Sequence, residues 1–497
     1  MWHLPFRQDN RPQLSNLVTT ATGFPLAILC VLLIMLLSGC VAVGPDYQHP
    51  ATTAPAAWHN EATANSPASE ELAQWWTTLN DPQLDNLIEL AMAGNTDLRQ
   101  ARARVREARA RRGVSRAAHL PSLDASGSAS SSKSNKETGS GTSRELYSAG
   151  FDASWELDLF GGNRRAEEAV QADLDASTED FHDVQVTLLA EVARNYIEVR
   201  SYQARIDITT KNIASREETT ALIRQRQEAG IASQLTVEQA VTSLEQARAQ
   251  LPALESGLDQ AANRLAVLLG RPPGDLAAEL AAPAPIPTVP ERLAIGIPAD
   301  VLRQRPDVRR AERQLAAQTA RVGVATAALY PKFSLTGSIG LDAYTPSRLF
   351  NSDAASSSAR AGLSWPVFHF GAIRQNIEVR NAIQEQALIN YEGVILAALE
   401  EVENSLGAYD RDLRRNKSLA LAAKSAANSL TLARQQYDAG LVDFFTVLDS
   451  QRSQLSMQDQ MATSHIAIIT DLIAIYKALG GGWTSLPTPT NENQQDQ

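Results

Sequence analysis

Sixty-seven consecutive residues, Asn163 to Ala229, contain neither proline nor glycine. An unbroken helix of that length is on the order of 100 Å long at about 1.5 Å per residue, several times the width of a small domain. A second run, Ala372 to Ala439, matches it, with Gly393 and Gly407 as weak points. Along the first run, apolar residues fall at Val170, Leu174, Phe181, Val184, Leu188, Val192, Val199, Ile206 and Ile213. The steps are mostly three, four or seven, as in a coiled coil. Such a narrow stripe cannot hold a long helix alone; it must lie against neighbours.

The two runs belong to a larger internal repeat. Leu120-Pro121-Ser122-Leu123 returns as Tyr330-Pro331-Lys332-Phe333, and Ser154-Trp155 returns as Ser364-Trp365. Phe160-Gly161, Ala229-Gly230 and Leu269-Gly270 return as Phe370-Gly371, Ala439-Gly440 and Leu479-Gly480, every time 210 positions later. Residues 85–270 and 295–480 thus read as two copies of one unit. Between them, 271–294 holds Pro272, Pro273, Pro283, Pro285, Pro287 and Pro290 and cannot be one regular element. Each copy reads helix, strand, loop, strand, long helix, turn, long helix. The long helices are expected over about 163–229, 233–270, 372–439 and 443–479.

Strands are expected over about 123–133, 147–160, 333–343 and 359–369. From Phe151 to Phe160, the apolar Phe151, Ala153, Trp155, Leu157 and Leu159 alternate with Asp152, Ser154, Glu156 and Asp158. The fourth strand is the weakest signal, because Pro366 and Phe368 interrupt its polar face. Each strand is about ten residues long, as a tilted membrane strand requires, although a soluble hairpin alternates in the same way. In a membrane barrel Trp155, Leu157 and Leu159 would face lipid, and Asp152, Glu156 and Asp158 the lumen. The strand pairs enclose polar stretches, Lys133 to Leu146 and Tyr344 to Ser358, suited to the outer surface of the membrane.

The N-terminus supplies an export signal. Arg7 and Arg11 precede a 14-residue apolar run, Phe24 to Leu37, which leads into Leu37-Ser38-Gly39-Cys40. The layout is a secretory signal peptide over residues 1–39; the run falls short of the roughly 20 residues that span a bilayer. Its ending resembles the bacterial lipobox, in which Cys40 would be acylated and become the new N-terminus. Val41 stands where an Asp would resemble the inner-membrane retention signal, so the lipoprotein is expected in the outer membrane. The lipidated N-terminal segment is 40–84, and the polar tail is 481–497. Cleavage removes Arg7, Arg11 and Asp9, which changes the net charge from −11 to −12. A chain this acidic is no nucleic-acid binder. No metal site and no cofactor are expected. The seven His are scattered, and no Gly-rich phosphate loop with its Lys is present. Glu400, Glu401 and Glu403 read as a charged helix face. An enzyme is not expected.

Four strands cannot close a barrel, and open edges in lipid leave backbone groups unpaired at several kcal/mol each. Several chains must therefore pool strands. Two would give eight, with an interior filled by side chains; three would give twelve, wide enough for water. Physics favours three or more and does not choose among them.

The helix hairpins have legible turns. Gly230 and Gly440 suit the left-handed position after a helix, and Ser233 and Asp443 suit the N-caps of the returning helices. Asp449 lies about six positions into the last helix, with Phe444 and Phe445 one turn nearer the tip. Taken alone, Asp449 is better explained as a solvated helix-face residue.

The chain resembles the TolC-like outer-membrane factors, specifically the lipoprotein (NodT-type) branch that pairs with resistance-nodulation-division pumps. The strings that carry the resemblance span most of the mature chain: Cys40 to Tyr47 (CVAVGPDY), Trp75-Trp76 with Asp81-Pro82, and Asn95-Thr96-Asp97-Leu98. Arg305-Pro306-Asp307-Val308 and Tyr437-Asp438-Ala439-Gly440 with Val447-Leu448-Asp449 complete them. The resemblance implies a mixed α and β fold: a homotrimer whose twelve-stranded transmembrane β-barrel continues into a periplasmic α-helical barrel. It implies a periplasmic adaptor and an inner-membrane pump as partners, outer-membrane lipid around the barrel, and passive export of small molecules. It places a periplasmic gate at Asp449 and Phe445, with Phe444 and Tyr437, where threefold symmetry makes Asp449 a ring of three carboxylates. Thr446 stands where other members carry a second ring Asp. The hairpin tips, Gly230, Ile231 and Ser233 with Gly440, Leu441 and Asp443, would meet the adaptor. Two alternatives stand beside efflux: a conduit for type I protein secretion, and a structural coiled-coil envelope lipoprotein, which would need no strands.

Overall fold

The computed structural model describes residues 42–51, 55–59, 72–287 and 298–483. The signal peptide, Cys40, the last ten residues before 298 and the tail from 484 lie outside the described residues. The chain divides into two compact units. One holds the described part of Met1–Tyr47 with Arg112–Val170 and Gln318–Gln384; the other holds Gln48–Arg111, Gln171–Ala317 and the chain from Glu385 on.

The first unit is built on a four-stranded antiparallel sheet. Its strands are β1 (Ser122–Lys133), β2 (Ser143–Leu157), β3 (Lys332–Ala343) and β4 (Ala355–Ser364), in spatial order β1-β2-β3-β4. The pairing aligns the alternation of every strand. Phe151 lies opposite Ala125 on one side and Ile339 on the other, and Trp155 lies opposite Leu335. Phe333 and Leu335 lie opposite Leu363 and Ala361. One face is therefore mainly apolar across all four strands, with Ser131, Glu145 and Ser357 on it toward the hairpin loops. The other carries Asp124 opposite Asp152, Glu156 opposite Ser334, and Thr336 opposite Arg360. A one-residue slip would mix the faces, so the pattern itself specifies the register. At the centre Gly150 faces Gly340, where an added Cβ would come 2.7 Å from the Ile339 carbonyl oxygen. The absence of side chains is what lets these backbones approach.

Strand ends depart from expectation. β2 starts at Ser143 rather than about 147, and β4 spans 355–364 rather than 359–369. The polar connections are correspondingly shorter. Ladder partners set these limits: Lys133 still pairs with Ser143 and Leu341 with Ala355. Pro366, which has no N–H to donate, lies just past the end of β4. β2 stops at Leu157 because the chain turns tightly there, with the Leu159 N–H donating to the Leu157 carbonyl at 2.9 Å.

The long helices begin at this unit or end in the other. They are α3 (Gly162–Glu228) and α7 (Ala372–Asp438), of 67 residues each, and α4 (Gln234–Leu268) and α8 (Phe444–Ala478), of 35 residues each. Shorter helices precede each strand pair: α1 (Pro82–Gly94) and α2 (Thr96–Ala117), then α5 (Pro298–Gln304) and α6 (Pro306–Ala327). α1 is capped by Asp81, whose carboxylate accepts the Gln83 and Leu84 N–H groups, with Pro82 at the first helical position.

In the second unit the middle of α3 is buried on more than one stripe. Leu189, Val192, Ala193, Tyr196, Ile197 and Val199 pack against Trp75, Leu79, Leu84, Leu87, Ile88, Leu265 and Ile473. The coiled-coil pattern therefore holds only along part of the helix. Arg200, fully buried here, is surrounded by hydrogen-bond partners: its Nε donates to the Tyr196 hydroxyl at 3.0 Å, and Nη1 donates to Gln203 at 2.7 Å and the Ala282 carbonyl at 3.1 Å. Its other Nη reaches Gln83. Tyr196 in turn donates to Asp81 at 2.6 Å, which ties the α1 cap to this network. Burial, then the bond to Asp81, pushes the Tyr196 phenol above its ordinary pKa. A buried cation costs several kcal/mol unless such partners surround it.

Candidate functional site

Two surfaces have the chemistry of a conduit: the two-faced sheet and the free ends of the helix hairpins. Lysine, carboxylate and hydroxyl groups line the sheet's polar face. Asp152 accepts a hydrogen bond from Ser126 at 2.7 Å, and Glu156 pairs with Lys332 at 3.3 Å. Asp158 does not join them. It lies past the end of β2, where its Oδ2 accepts the Arg164 N–H at 2.9 Å at the start of α3. Leu159 is likewise outside the strand. Alternation ran on through Asp158 in the sequence, but the carboxylate is worth more as a cap for α3's unpaired amides.

The hairpin ends are built from four local parts. Gly230 and Gly440 both adopt φ of +73°, a left-handed geometry that costs glycine nothing. The Ile231 and Leu441 N–H groups reach back to the Arg226 and Gln436 carbonyls at 2.8 Å, closing each helix. Ser233 and Asp443 then accept the Thr236 and Thr446 N–H groups at 3.2 and 3.1 Å. Thr446, at the position where a second ring carboxylate was absent, donates its hydroxyl to the Asp443 cap at 2.8 Å.

The four expected gate residues divide into two pairs. Phe444 is 5% exposed and packs with Ile223, Val237, Leu430, Ala433, Val447 and Leu448 in the core of the hairpin ends. Its ring lies 5.5 Å from that of Tyr437, over which the Arg226 guanidinium sits at 5.0 Å. Phe444 is therefore a packing residue, not a lining one. Phe445 is 56% exposed, and Asp449, one turn on, is exposed as well. At a spacing of four they share a helix face that this chain leaves uncovered. Ile231 and Leu441 at the tips are exposed too.

Polar ties between the hairpins were not visible in the sequence. Arg226 of α3 pairs with Asp438 of α7 at 2.8 Å, Arg434 donates to Ser215 at 2.6 Å, and Arg205 pairs with Asp459 at 2.6 Å. Each joins residues more than 200 positions apart, so no local signal marks them. Further along, burial and then the Asp412 carboxylate raise the pKa of Asp471 to about 6. A carboxyl whose folded pKa lies above the unfolded one stabilises fully below about pH 4 and loses that contribution as pH rises through 6. Asp471→Asn should therefore raise the thermal midpoint of the purified protein at pH 7.5 and leave it unchanged at pH 4. The gain is about 1 kcal/mol after discounting for the water that reaches the pair. Equal midpoints at pH 7.5 would show that the pair is not strained.

Among the described residues, no helix is long and apolar enough to cross a membrane, and no cluster of His, Cys, Asp and Glu could hold a metal ion. The membrane-compatible surface is the sheet's apolar face, and this sheet joined to long helix hairpins defines a channel subunit of the outer-membrane class. The comparisons agree. The model of the outer membrane efflux protein family matches residues 87–271 and 297–481. The chain is 32% identical to outer membrane protein OprJ of Pseudomonas aeruginosa over 462 residues, covering 91% of this chain and 95% of OprJ. It is 32% identical to the toluene efflux pump outer membrane protein TtgF of Pseudomonas putida, covering 92% and 97%. Among solved structures, the outer-membrane channel OprN superposes with a TM-score of 0.83 at 35% identity, over 89% of this chain and all of OprN. The open state of the MtrE channel of Neisseria gonorrhoeae gives 0.79 at 28% identity, over 89% and 98%. The chain belongs to the outer membrane efflux protein family, and it is the outer-membrane channel component of an efflux system.

Proposed function

We propose that three copies of this chain close a twelve-stranded barrel in the outer membrane and continue it as a helical tunnel. The tunnel passively conducts small molecules that an inner-membrane resistance-nodulation-division pump delivers through a periplasmic adaptor. One observation carries the reading: a four-stranded sheet with a mainly apolar face, a polar face, and two edges, β1 and β4, without strand partners among the described residues. An apolar face needs lipid, a polar face needs water, and open edges need more strands.

Residues 85–270 and 295–480 are taken as two copies of one unit, joined by 271–294. Matching contacts support this. The Trp155 and Trp365 indoles donate to the His119 and Leu329 carbonyls, each at 3.0 Å. Asn95 and Arg305 cap the ends of α4 and α8 by donating to the Leu268 and Ala478 carbonyls at 2.8 and 2.6 Å. Asp152 and Glu156 are proposed to face the lumen, Phe445 and Asp449 to form the periplasmic constriction, and the two glycine tips to meet the adaptor.

The lipid anchor is proposed at Cys40. The chain that follows it is held beside the end of β2: the Val43 N–H donates to the Phe160 carbonyl at 3.1 Å, and Arg165 grips the Val43 carbonyl and Asp46 at 3.1 and 2.6 Å. Cys40 precedes Val43 by three residues in the sequence. Cys40→Ala should abolish acyl labelling in cells fed radiolabelled palmitate. Barrel insertion should survive, since the strands attach independently; full labelling of the variant would remove the anchor reading. The channel itself is tested by planar-bilayer conductance of the purified protein, together with its mass in detergent. A non-conducting monomer would favour a structural envelope role instead.

A further inference from the structure

Where β2 gives way to α3, the faces of three helices converge on a cleft that they do not fill. Its volume is about 540 Å³, and all of its lining belongs to the first unit. α3 contributes Ala166, Ala169 and Val170, and α6 contributes Val324, Ala325 and Ala328. Spacings of three and four put each set on one helix face. Four of these six side chains are alanine, too short to meet across the gap. An apolar gap between helices forfeits the dispersion contacts that a filled one makes, and water finds few hydrogen bonds there.

The third wall is of another kind. α7 presents Asn376 and Arg380, one turn apart on one face. In the repeat proposed above, these are the counterparts of Ala166 and Val170, 210 positions earlier. The two equivalent helices thus border the same cleft, one with an apolar pair and the other with an amide and a guanidinium. The carboxylates of the lining are already engaged. Glu156 pairs with Lys332 at 3.3 Å, and Asp158 accepts the Arg164 N–H at 2.9 Å and lies 3.5 Å from its guanidinium. Arg380 is partly buried and has no ion-pair partner among the described residues.

We propose that this cleft binds an amphipathic monoanion, with its apolar body between α3 and α6 and its carboxylate or sulfate head on the Arg380 guanidinium. A planar guanidinium holds such a head by paired, charge-assisted hydrogen bonds, which a cationic head cannot make. The volume falls in the range of small-molecule sites, roughly 300–1,000 Å³. Glu156 and Lys332, from the sheet's polar face, also line the cleft. On the channel reading above, that face meets the water of the lumen, so a molecule in transit reaches the cleft from there. The inference rests on that reading and adds to the conduit a stopping point with its own preference, apolar molecules carrying one negative charge. A phospholipid with an anionic headgroup has the same chemistry, and the test separates the two sources.

Ala166→Cys and Ala328→Cys place a thiol on either apolar wall of the full chain, and Ser128→Cys, on the sheet's polar face, serves as the reference. Each variant is reconstituted in phosphatidylcholine nanodiscs and treated with neutral iodoacetamide, and labelling is read at each position by peptide mass. Decanoate at ten times its dissociation constant should slow labelling at 166 and 328 about tenfold relative to 128. Decyltrimethylammonium, with the same apolar body and the opposite charge, should leave all three rates unchanged. Arg380→Ala should abolish the protection, and Arg380→Lys should keep most of it. No protection by decanoate, equal protection by both amphiphiles, or protection that survives Arg380→Ala each overturns the proposal. Thiols at 166 and 328 that never react also overturn it, because a second copy of the chain then fills the cleft. Phosphatidylglycerol added to the nanodisc is the lipid arm. Protection by it where decanoate gives none makes the occupant a lipid and overturns the transit role; protection by decanoate, with or without it, supports the site as proposed. Planar-bilayer conductance of the same protein tells a failed cleft from a failed channel reading.

Discussion

Single channels carrying Asp449→Ala should lose cation preference by on the order of tenfold, and those carrying Phe445→Ala should leave the resting state conducting well above the parent. Three exposed carboxylates brought onto a narrow axis would concentrate counter-ions and repel anions. A ring of phenylalanines beside them would resist wetting. The face that carries both residues is open in the single chain while Phe444, next to it, is packed inside. The equivalent positions of the other hairpin are Leu235, exposed, and Gln239. At these two positions charge falls in one hairpin only, which would give the proposed trimer three carboxylates rather than six. The double variant should also admit large antibiotics that the outer membrane normally excludes. The measurement is single-channel conductance with reversal potential in a salt gradient. Phe444→Ala separates two effects: it should lower the stability of the hairpin ends by about 3–5 kcal/mol, as loss of a buried aromatic does, without altering ion preference. If Phe445→Ala and Asp449→Ala match the parent in both quantities, the constriction lies elsewhere.

Phe151→Arg should destabilise the barrel by about 2–4 kcal/mol per chain, whereas Leu157→Arg should cost about 0–1 kcal/mol. The difference is depth. Phe151 sits in the middle of β2 on the apolar face, opposite Ala125 and Ile339, while Leu157 is the last residue of the strand. An arginine at mid-depth has no water within reach; one at the rim turns toward the headgroups. Denaturant unfolding of the protein in lipid vesicles reads the two values. Equal costs at both positions would mean that the apolar face is not set against lipid. A cysteine at Glu156 should react with a water-soluble thiol reagent, and one at Phe151 should not.

Much of this protein was legible before its structure. The helix runs without proline were long enough to exclude anything but extended helices. The period-2 alternation of Phe151 to Leu157 carried both strand and facing, because β geometry puts alternate residues on opposite sides whatever the partner. The Gly-x-x-Ser and Gly-x-x-Asp turns were legible for the same reason: a left-handed residue and a capping oxygen act within a few positions. Errors gathered where a local pattern continued past the point at which a neighbour ended it. Asp158 extends the alternation but is taken by the Arg164 N–H. The strand pattern of β4 continues past Pro366, but β3 supplies partners only as far as Ser364. Phe444 and Phe445 are indistinguishable as letters, and helical phase against α3, α4 and α7 decides which is buried.

The sequence by itself determined helix length, strand alternation, the turns and the amphipathic faces, because each depends on backbone geometry acting over a few residues. Only the tertiary structure decided where the strands stop, which side of α3 is buried, and how Arg226, Arg434 and Arg205 tie the hairpins together. The arginine ties join partners up to 254 positions apart along the chain. The burial of one face or another is a free-energy difference between neighbours, and no local spacing encodes it.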